Sequence, residues 1–261
     1  YGWLWAIENE IRPLMPMVYY HVWDNFPPPR FNSNFYESTD YIATISKVTD
    51  AIVKDVSPSV DRQYVPHAVD STYFHKIEEK ERADVRNKIF GDNLLDNDGN
   101  EKMVFLWNNR NARRKQSGSL IWWYKEFLDK VGHDKAILMM HTEPKDQHGQ
   151  DLEKIISELG LVNGEVIFST TKVQAEHLAR VYNAADCTIN ISDAEGFGLA
   201  TLESLSCGTP IIVNMTGGLQ EQVTDGENWF GIGIEPCSKA VIGSQTVPYI
   251  YEDRLHKEDF L

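Results

Sequence analysis

The chain has 261 residues and a formal net charge of −14, with 42% hydrophobic residues. That length suits one large or two modest domains, and the acidic balance argues against nucleic acid as a partner and against bulk attraction to anionic lipid. No apolar run is long enough to span a bilayer, and Cys187, Cys207 and Cys237 form no CxxC pair, so a reduced, cytoplasmic setting is expected, with peripheral attachment to a membrane through a local basic patch left open. The opening Tyr1-Gly-Trp-Leu-Trp lacks Met, as expected of a fragment or of a chain whose start lies upstream.

In chain order, Pro16–His21 reads as a buried strand running into a stiff Pro-rich loop, Val22–Arg30. Tyr41–Ser46 is a second strand, Ser46 can cap a helix over Lys47–Asp55, and Gln63–Pro66 is a third extended piece. Residues 76–100 read as charged and then turn-rich, and Asp96-x-Asp98 reads as a solvated turn rather than a cation loop, whose glycine would fall at the sixth place. Strands follow at 103–107, 136–140, 165–168, 187–191, 211–214 and about 229–234, with helices at 119–131, 150–160, 172–184, 199–207 and 218–224. Such alternation predicts a parallel α/β sheet with helices on both faces and ligands beyond the strand C-termini. Leu120, Tyr124, Phe127, Leu128 and Val131 repeat at helical spacing and read as core, with Trp122 and Trp123 beside them.

The most informative stretch is 186–218. Cys187–Ile191 is a β-branched run, Ser192–Gly198 a turn with two glycines, and Leu199, Leu202 and Leu205 recur at helical spacing until Gly208 and Pro210 end the helix. A Gly-containing loop feeding a helix collects unpaired N–H groups and the positive end of the helix dipole, a seat for phosphate or a sugar hydroxyl. Glu195 stands just before that seat and Glu203 about one turn inside the helix.

Glu195-Gly-Phe-Gly-Leu-Ala-Thr-Leu-Glu203, followed by Cys207-Gly-Thr-Pro210 and Gly217-Gly218, resembles the retaining, nucleotide-sugar-dependent glycosyltransferases of family 4, which have the two-domain GT-B fold. The resemblance implies a Rossmann-like donor-binding domain over 67–245, preceded by the incomplete tail of an acceptor-side α/β domain over 1–66. A last segment, 246–261, is expected to cross back to the first. Pro66-His67-Ala68-Val69-Asp70 stands where the family has a Pro-Asn-Gly-Val-Asp type link. The family's further upstream βα units are absent, so a missing N-terminal half or a partner chain is expected to complete the acceptor side.

The same resemblance assigns roles. Arg110 and Lys115, in the densest basic cluster of the chain, match the family's pair on the leaving diphosphate, although Asn109 replaces the usual glycine. Glu203 would accept bonds from ribose hydroxyls and Glu195 from the donor sugar, with backbone N–H groups of Gly196, Phe197, Gly198 and Leu199 facing sugar and phosphates. Thr170 and Val173 are positional candidates for the nucleobase, with a helix cap by Thr170 or Thr171 an equally good reading. His21, and after it Asp24, would face the reacting sugar; a structural histidine is the competing reading.

The implied activity is transfer of a sugar from a nucleotide diphosphate sugar to an acceptor hydroxyl with retention of configuration. The alternative is a nucleotide-sugar-binding module without turnover of its own. No metal or other cofactor is expected, because Arg110, Lys115 and the helix N-terminus would neutralise the diphosphate. His141, Glu143, Asp146 and His148 lack i, i+4 ligand spacing and read as a nucleotide-side loop. A dinucleotide oxidoreductase is disfavoured, since no Gly-x-Gly-x-x-Gly follows a strand. Nucleobase, sugar and acceptor (glycan, lipid or protein) are not specified.

Overall fold

The structure, a computed structural model, describes residues 2–261. Two short helices, α1 (Gly2–Ala6) and α2 (Glu8–Ile11), precede a first unit of β1 (Val18–His21), α3 (Ser33–Glu37), β2 (Tyr41–Thr44), α4 (Lys47–Val56) and β3 (Arg62–Tyr64). Its three strands pair in parallel in the order β1-β2-β3. Ser46 caps α4 by accepting from the Thr49 amide, and Ile52, Val53 and Val56 of that helix pack with Tyr36 and Ile42 into a small core.

The second unit holds α5 (Glu79–Phe90), β4 (Met103–Asn108), α6 (Ser117–Val131), β5 (Ala136–His141), α7 (Leu152–Glu158), β6 (Val166–Ser169), α8 (Ala175–Ala184), β7 (Cys187–Asn190), α9 (Leu199–Ser206), β8 (Ile211–Asn214), α10 (Gln220–Val223) and β9 (Gly231–Ile234). Six parallel strands lie in the order β6-β5-β4-β7-β8-β9. This is the doubly wound order, and its crevice opens where β4 and β7 lie side by side while their crossovers leave in opposite directions. Residues of β4 and β5 are buried on both faces: Trp107, Leu138 and Met140 against α6 and α7, and Val104, Leu106, Ile137 and Met139 against α5 and α8. A strand buried on both sides reads as a continuous apolar run, which is why these strands were visible in the sequence.

Beyond β9 the chain forms an antiparallel pair, β10 (Ser238–Ile242) and β11 (Ile250–Arg254), and ends in α11 (Lys257–Phe260). The Tyr251 amide donates to Phe26 O at 2.6 Å, so this tail reaches back to the first unit. No described helix is long and apolar enough to cross a membrane.

Several expectations need correction. Residues 79–90 are a helix: its apolar positions are too few to show a stripe, but good helix formers fill it, two acids occupy its first turn and Gly91 stops it. α8 begins at Ala175, not 172, so neither Thr170 nor Thr171 caps it. Trp122 (54% exposed) and Val131 (45%) lie outside the core. The hairpin over 238–254 has no counterpart in the expected elements. Asp96 and Asp98 both bind the Lys135 ammonium at 2.8 Å, in a turn that Asp96 also closes by accepting from the Asn100 amide.

α5 is held by charge as well as by packing. Asp186, at the foot of β7, accepts from Arg82 (2.5 Å), Arg86 (3.1 Å) and the Val104 amide (2.8 Å), with Arg86 only 3% exposed. Removing that carboxylate would leave the buried Arg86 only the exposed Glu101 as an anionic partner. Asp186→Ala should therefore lower unfolding stability by about 3 kcal/mol or more, read as a fall in the urea midpoint.

Candidate functional site

A cleft of about 380 Å³ opens at the β4/β7 crevice, between the two units. Three segments of the second unit build its floor: the turn after β4, the loop after β7 and the start of α9. Val22, Asp24, Ile45 and His67 close it from the first unit's side.

The loop after β7 is shaped by glycines. Gly198 takes φ +92° and forms the N-cap of α9. Gly217, at φ +50°, packs against the Glu195 carbonyl so closely that a Cβ would collide with it, and the Gly218 amide donates to that carbonyl at 2.9 Å. Left-handed backbone and close approach both favour glycine here. The carbonyls of Gly198 and Phe197 are held by Thr201 and Gln222. The first-turn residues Leu199 and Ala200 line the cleft, so α9 presents its positive end to it.

The turn after β4 supplies the cations. Lys115 is 7% exposed, and its ammonium is in direct contact with the Glu195 carboxylate. Burial pulls the Lys115 ammonium below the usual lysine range, and the Glu195 charge opposes that pull. Arg114 donates to the Ala194 carbonyl and lies 3.7 Å from Glu195. Asp24 faces this cluster; burial raises its pKa to about 6, against the pull of Arg114.

Glu203 lies one turn into α9, half-buried. It accepts from the Tyr182 hydroxyl at 2.7 Å, and that hydroxyl accepts from Asn108 Nδ2 at 2.7 Å. Burial raises the Glu203 pKa, the Tyr182 bond opposing it. The chain Asn108–Tyr182–Glu203 joins the end of β4 to α9 through α8. Tyr182 sat inside a predicted helix, and helical spacing alone could not say that its hydroxyl meets an acid.

Among the predicted site residues, Arg110, Lys115, Glu195, Gly196, Phe197, Gly198 and Leu199 all line one cleft. Glu203, on α9, is not among the residues that line it, and three further placements differ from the expectation. Arg110 sits at the rim with its guanidinium bidentate on Asp146 (2.7 and 3.1 Å), and it is Arg114 that stands beside Glu195 with Lys115. The short helical turn over Arg113–Lys115 rotates Arg114 inward, a rotation that a count of basic residues cannot foresee. His21 is 3% exposed and lies outside the cleft, its Nε2 hydrogen-bonded to the Tyr36 hydroxyl at 2.7 Å. Strand alternation turns its side chain into the first unit's core, while Asp24, past the strand end, reaches the cleft. Thr170 is exposed and Val173 partly so, on the segment between β6 and α8; neither lines the cleft.

The doubly wound sheet thus places the buried Lys115, the partly exposed Arg114, the amino end of α9 and the carboxylates of Glu195 and Asp24 at its switch point, where α/β sheets bind ligands. Residues 124–245 match a family model described as glycosyl transferases group 1. That stretch is similar to the group 1 glycosyl transferases.

A D-inositol 3-phosphate glycosyltransferase of Thermomonospora curvata is 36% identical over 94 residues, 36% of this chain and 21% of that protein. A mannosylfructose-phosphate synthase of Agrobacterium fabrum is 25% identical over 229 residues, 85% of this chain and 47% of that protein. Among solved structures, sucrose-phosphate synthase from Thermosynechococcus elongatus superposes at a TM-score of 0.70 with 20% identity, over 90% of this chain and 59% of that one. Anabaena HepE in complex with UDP-glucose gives 0.65 with 18% identity, over 85% of this chain and 59% of that one. The fold is thus of GT-B type, and the chain spans about a fifth to a half of the length of these two curated relatives.

Burial lowers the His21 pKa to about 4. The folded state therefore resists protonation of His21, and the stability it contributes, present above the unfolded pKa near 6.5, is lost as pH falls toward 4. Relative to His21→Asn, the wild-type protein should lose about 3 kcal/mol across that window, measured by denaturant titration at stepped pH.

Proposed function

We propose that this chain carries the donor site of a retaining glycosyltransferase that moves a sugar from a nucleotide diphosphate sugar to an acceptor hydroxyl. The observation that carries the reading is the convergence of Lys115, Arg114, Glu195 and the amino end of α9 on one cleft at the β4/β7 switch point. The similarity to glycosyltransferases supports sugar transfer, and the UDP-glucose held by HepE supports a nucleotide-sugar donor and favours a uridine nucleotide.

In this reading the diphosphate lies between the Arg114–Lys115 turn and the free amides of Leu199 and Ala200. Glu195 holds hydroxyls of the sugar, and Glu203, already oriented by Tyr182, accepts from the ribose. The bond from the anomeric carbon to the phosphate oxygen breaks, and its electron pair leaves with the diphosphate. The acceptor oxygen bonds to the same face of that carbon, and its proton passes to the departing phosphate oxygen. Lys115 and Arg114 stabilise the charge that grows on that oxygen, so their bonds strengthen in the transition state. The chemistry proposed here routes charge neutralisation through these side chains and calls on no metal.

Asp24 faces the sugar from the first unit. Its carboxylate would take a hydroxyl of the bound sugar and offset positive charge at the anomeric carbon. Thr170 and Val173 remain candidates for the nucleobase only if the segment before α8 folds over the bound nucleotide.

Lys115→Met should lower kcat with UDP-glucose and a simple hydroxyl acceptor by about a hundredfold or more, as loss of one preorganised donor does elsewhere. Arg110→Ala, at the rim, should cost about tenfold or less. Wild-type turnover in Lys115→Met would refute the assignment, whereas donor binding without nucleotide release in the wild-type chain would favour a binding module instead. For Asp24, kcat/KM should rise with pH through about 6, the pKa of the free site. The Asp24→Asn variant should lack that limb in a pH–rate profile.

A further inference from the structure

Glu252 and Asp193 are 3% and 2% exposed, yet neither lines the cleft. Glu252, on β11, receives two parallel hydrogen bonds from Arg113, each 2.8 Å. Arg254, two residues on, ion-pairs with Asp193 and reaches Glu252 at 3.4 Å. Asp193 also accepts from the Gln116 side chain at 2.5 Å. Acids and cations thus alternate from β11 into both ends of the turn that bears Arg114 and Lys115.

Backbone bonds fix the same junction. The Asp253 amide donates to Asp193 O at 3.0 Å, and the Asp193 amide to Arg114 O at 2.8 Å. Thr216 Oγ1 donates to Asp253 Oδ2 at 2.7 Å, which brings in the loop of Gly217 and Gly218. At the other end of the strand, the Tyr251 ring stacks on Phe26 of the first unit, 6.3 Å between centroids. One five-residue strand therefore bonds to the turn after β4, to the loops after β7 and β8 and to the first unit, from behind the residues that line the cleft.

The turn needs outside support. It is a single 3₁₀ turn, and it ends at Gln116, a non-glycine residue at φ +55°. Left-handed backbone at such a residue costs energy and persists where the surroundings hold it. Two more carboxylates beside a diphosphate site would weaken anion binding if charge were their purpose. Paired with Arg113 and Arg254, they contribute geometry instead.

We propose that β11 is a strap that positions the Arg114–Lys115 turn, and that Glu252 and Asp193 are positioning residues for the transfer reaction. The second clause rests on the donor reading of the cleft; the first does not.

Hydrogen exchange of the intact chain separates the two. Glu252→Gln should raise exchange at the Lys115, Gln116 and Asp193 amides by about tenfold or more, with β5 amides unchanged. UDP affinity by calorimetry should weaken by about tenfold, as for loss of a charged hydrogen bond that acts through another group. Glu252→Asp should restore part of both. Arg113→Gln removes the same pair from its half-exposed side, and serves if the buried substitution does not fold. The double variant should be no worse than Glu252→Gln alone, since both changes break one interaction. Unchanged exchange at those three amides in both single variants would overturn the strap, as would additive losses. Raised exchange in a chain whose wild type binds no UDP would keep the strap and remove the donor reading.

Discussion

The site depends on a buried ammonium. Lys115 is almost wholly removed from water, and a lone cation there would cost several kcal/mol. Glu195 meets it directly, and Asp24 adds negative charge from across the cleft. The ammonium is thereby paired and fixed before any ligand arrives. Fixed charge in a water-poor crevice is what stabilises a developing anion with least reorganisation. Arg114 shares the same carboxylate, so the two cations stand together on one wall of the cleft.

Everything around that wall serves to aim it. Parallel strands β4 and β7 bring the two loops together at the switch point, and the glycines at 217 and 218 let a third loop lie against the backbone of the second. α9 then begins with its free amides toward the cations. On the far side, Tyr182 holds Glu203 in one orientation from a neighbouring helix. A carboxylate already gripped by one hydroxyl is prepared to accept from others without losing further rotamer freedom. The two glutamates therefore differ in what restrains them: Glu195 is tied by charge and Glu203 by a neutral hydrogen bond.

The two units meet through few but directional contacts. The Lys47 amide donates to Glu221 at 2.9 Å, His67 packs edge-on to Phe197 at 5.3 Å, and β11 bonds to Phe26. His67 lies on the link between the units and lines the cleft, so movement there would change the cleft's width. Interfaces of this polar, limited kind allow relative motion of domains.

The amino-acid sequence alone determined the periodic parts. Strands buried on both faces, the helix beginning at Leu199 and the glycine loops follow from local pattern, so the α/β class and the position of Glu195, Glu203 and Lys115 on their elements were legible. α5 was not, because a helix whose buried face is an arginine and a phenylalanine shows no apolar stripe. Tertiary structure alone decided which arginine faces Glu195, since Asp146 holds Arg110 at the rim while the Arg113–Lys115 turn brings Arg114 beside the carboxylate. It also decided that His21 packs on Tyr36 while Asp24 enters the cleft, and that a terminal strand 139 residues from Arg113 pairs with it. The physical reason is range: propensity and periodicity act over a few residues, whereas desolvated charges are satisfied by whatever partner the fold brings within about 3 Å.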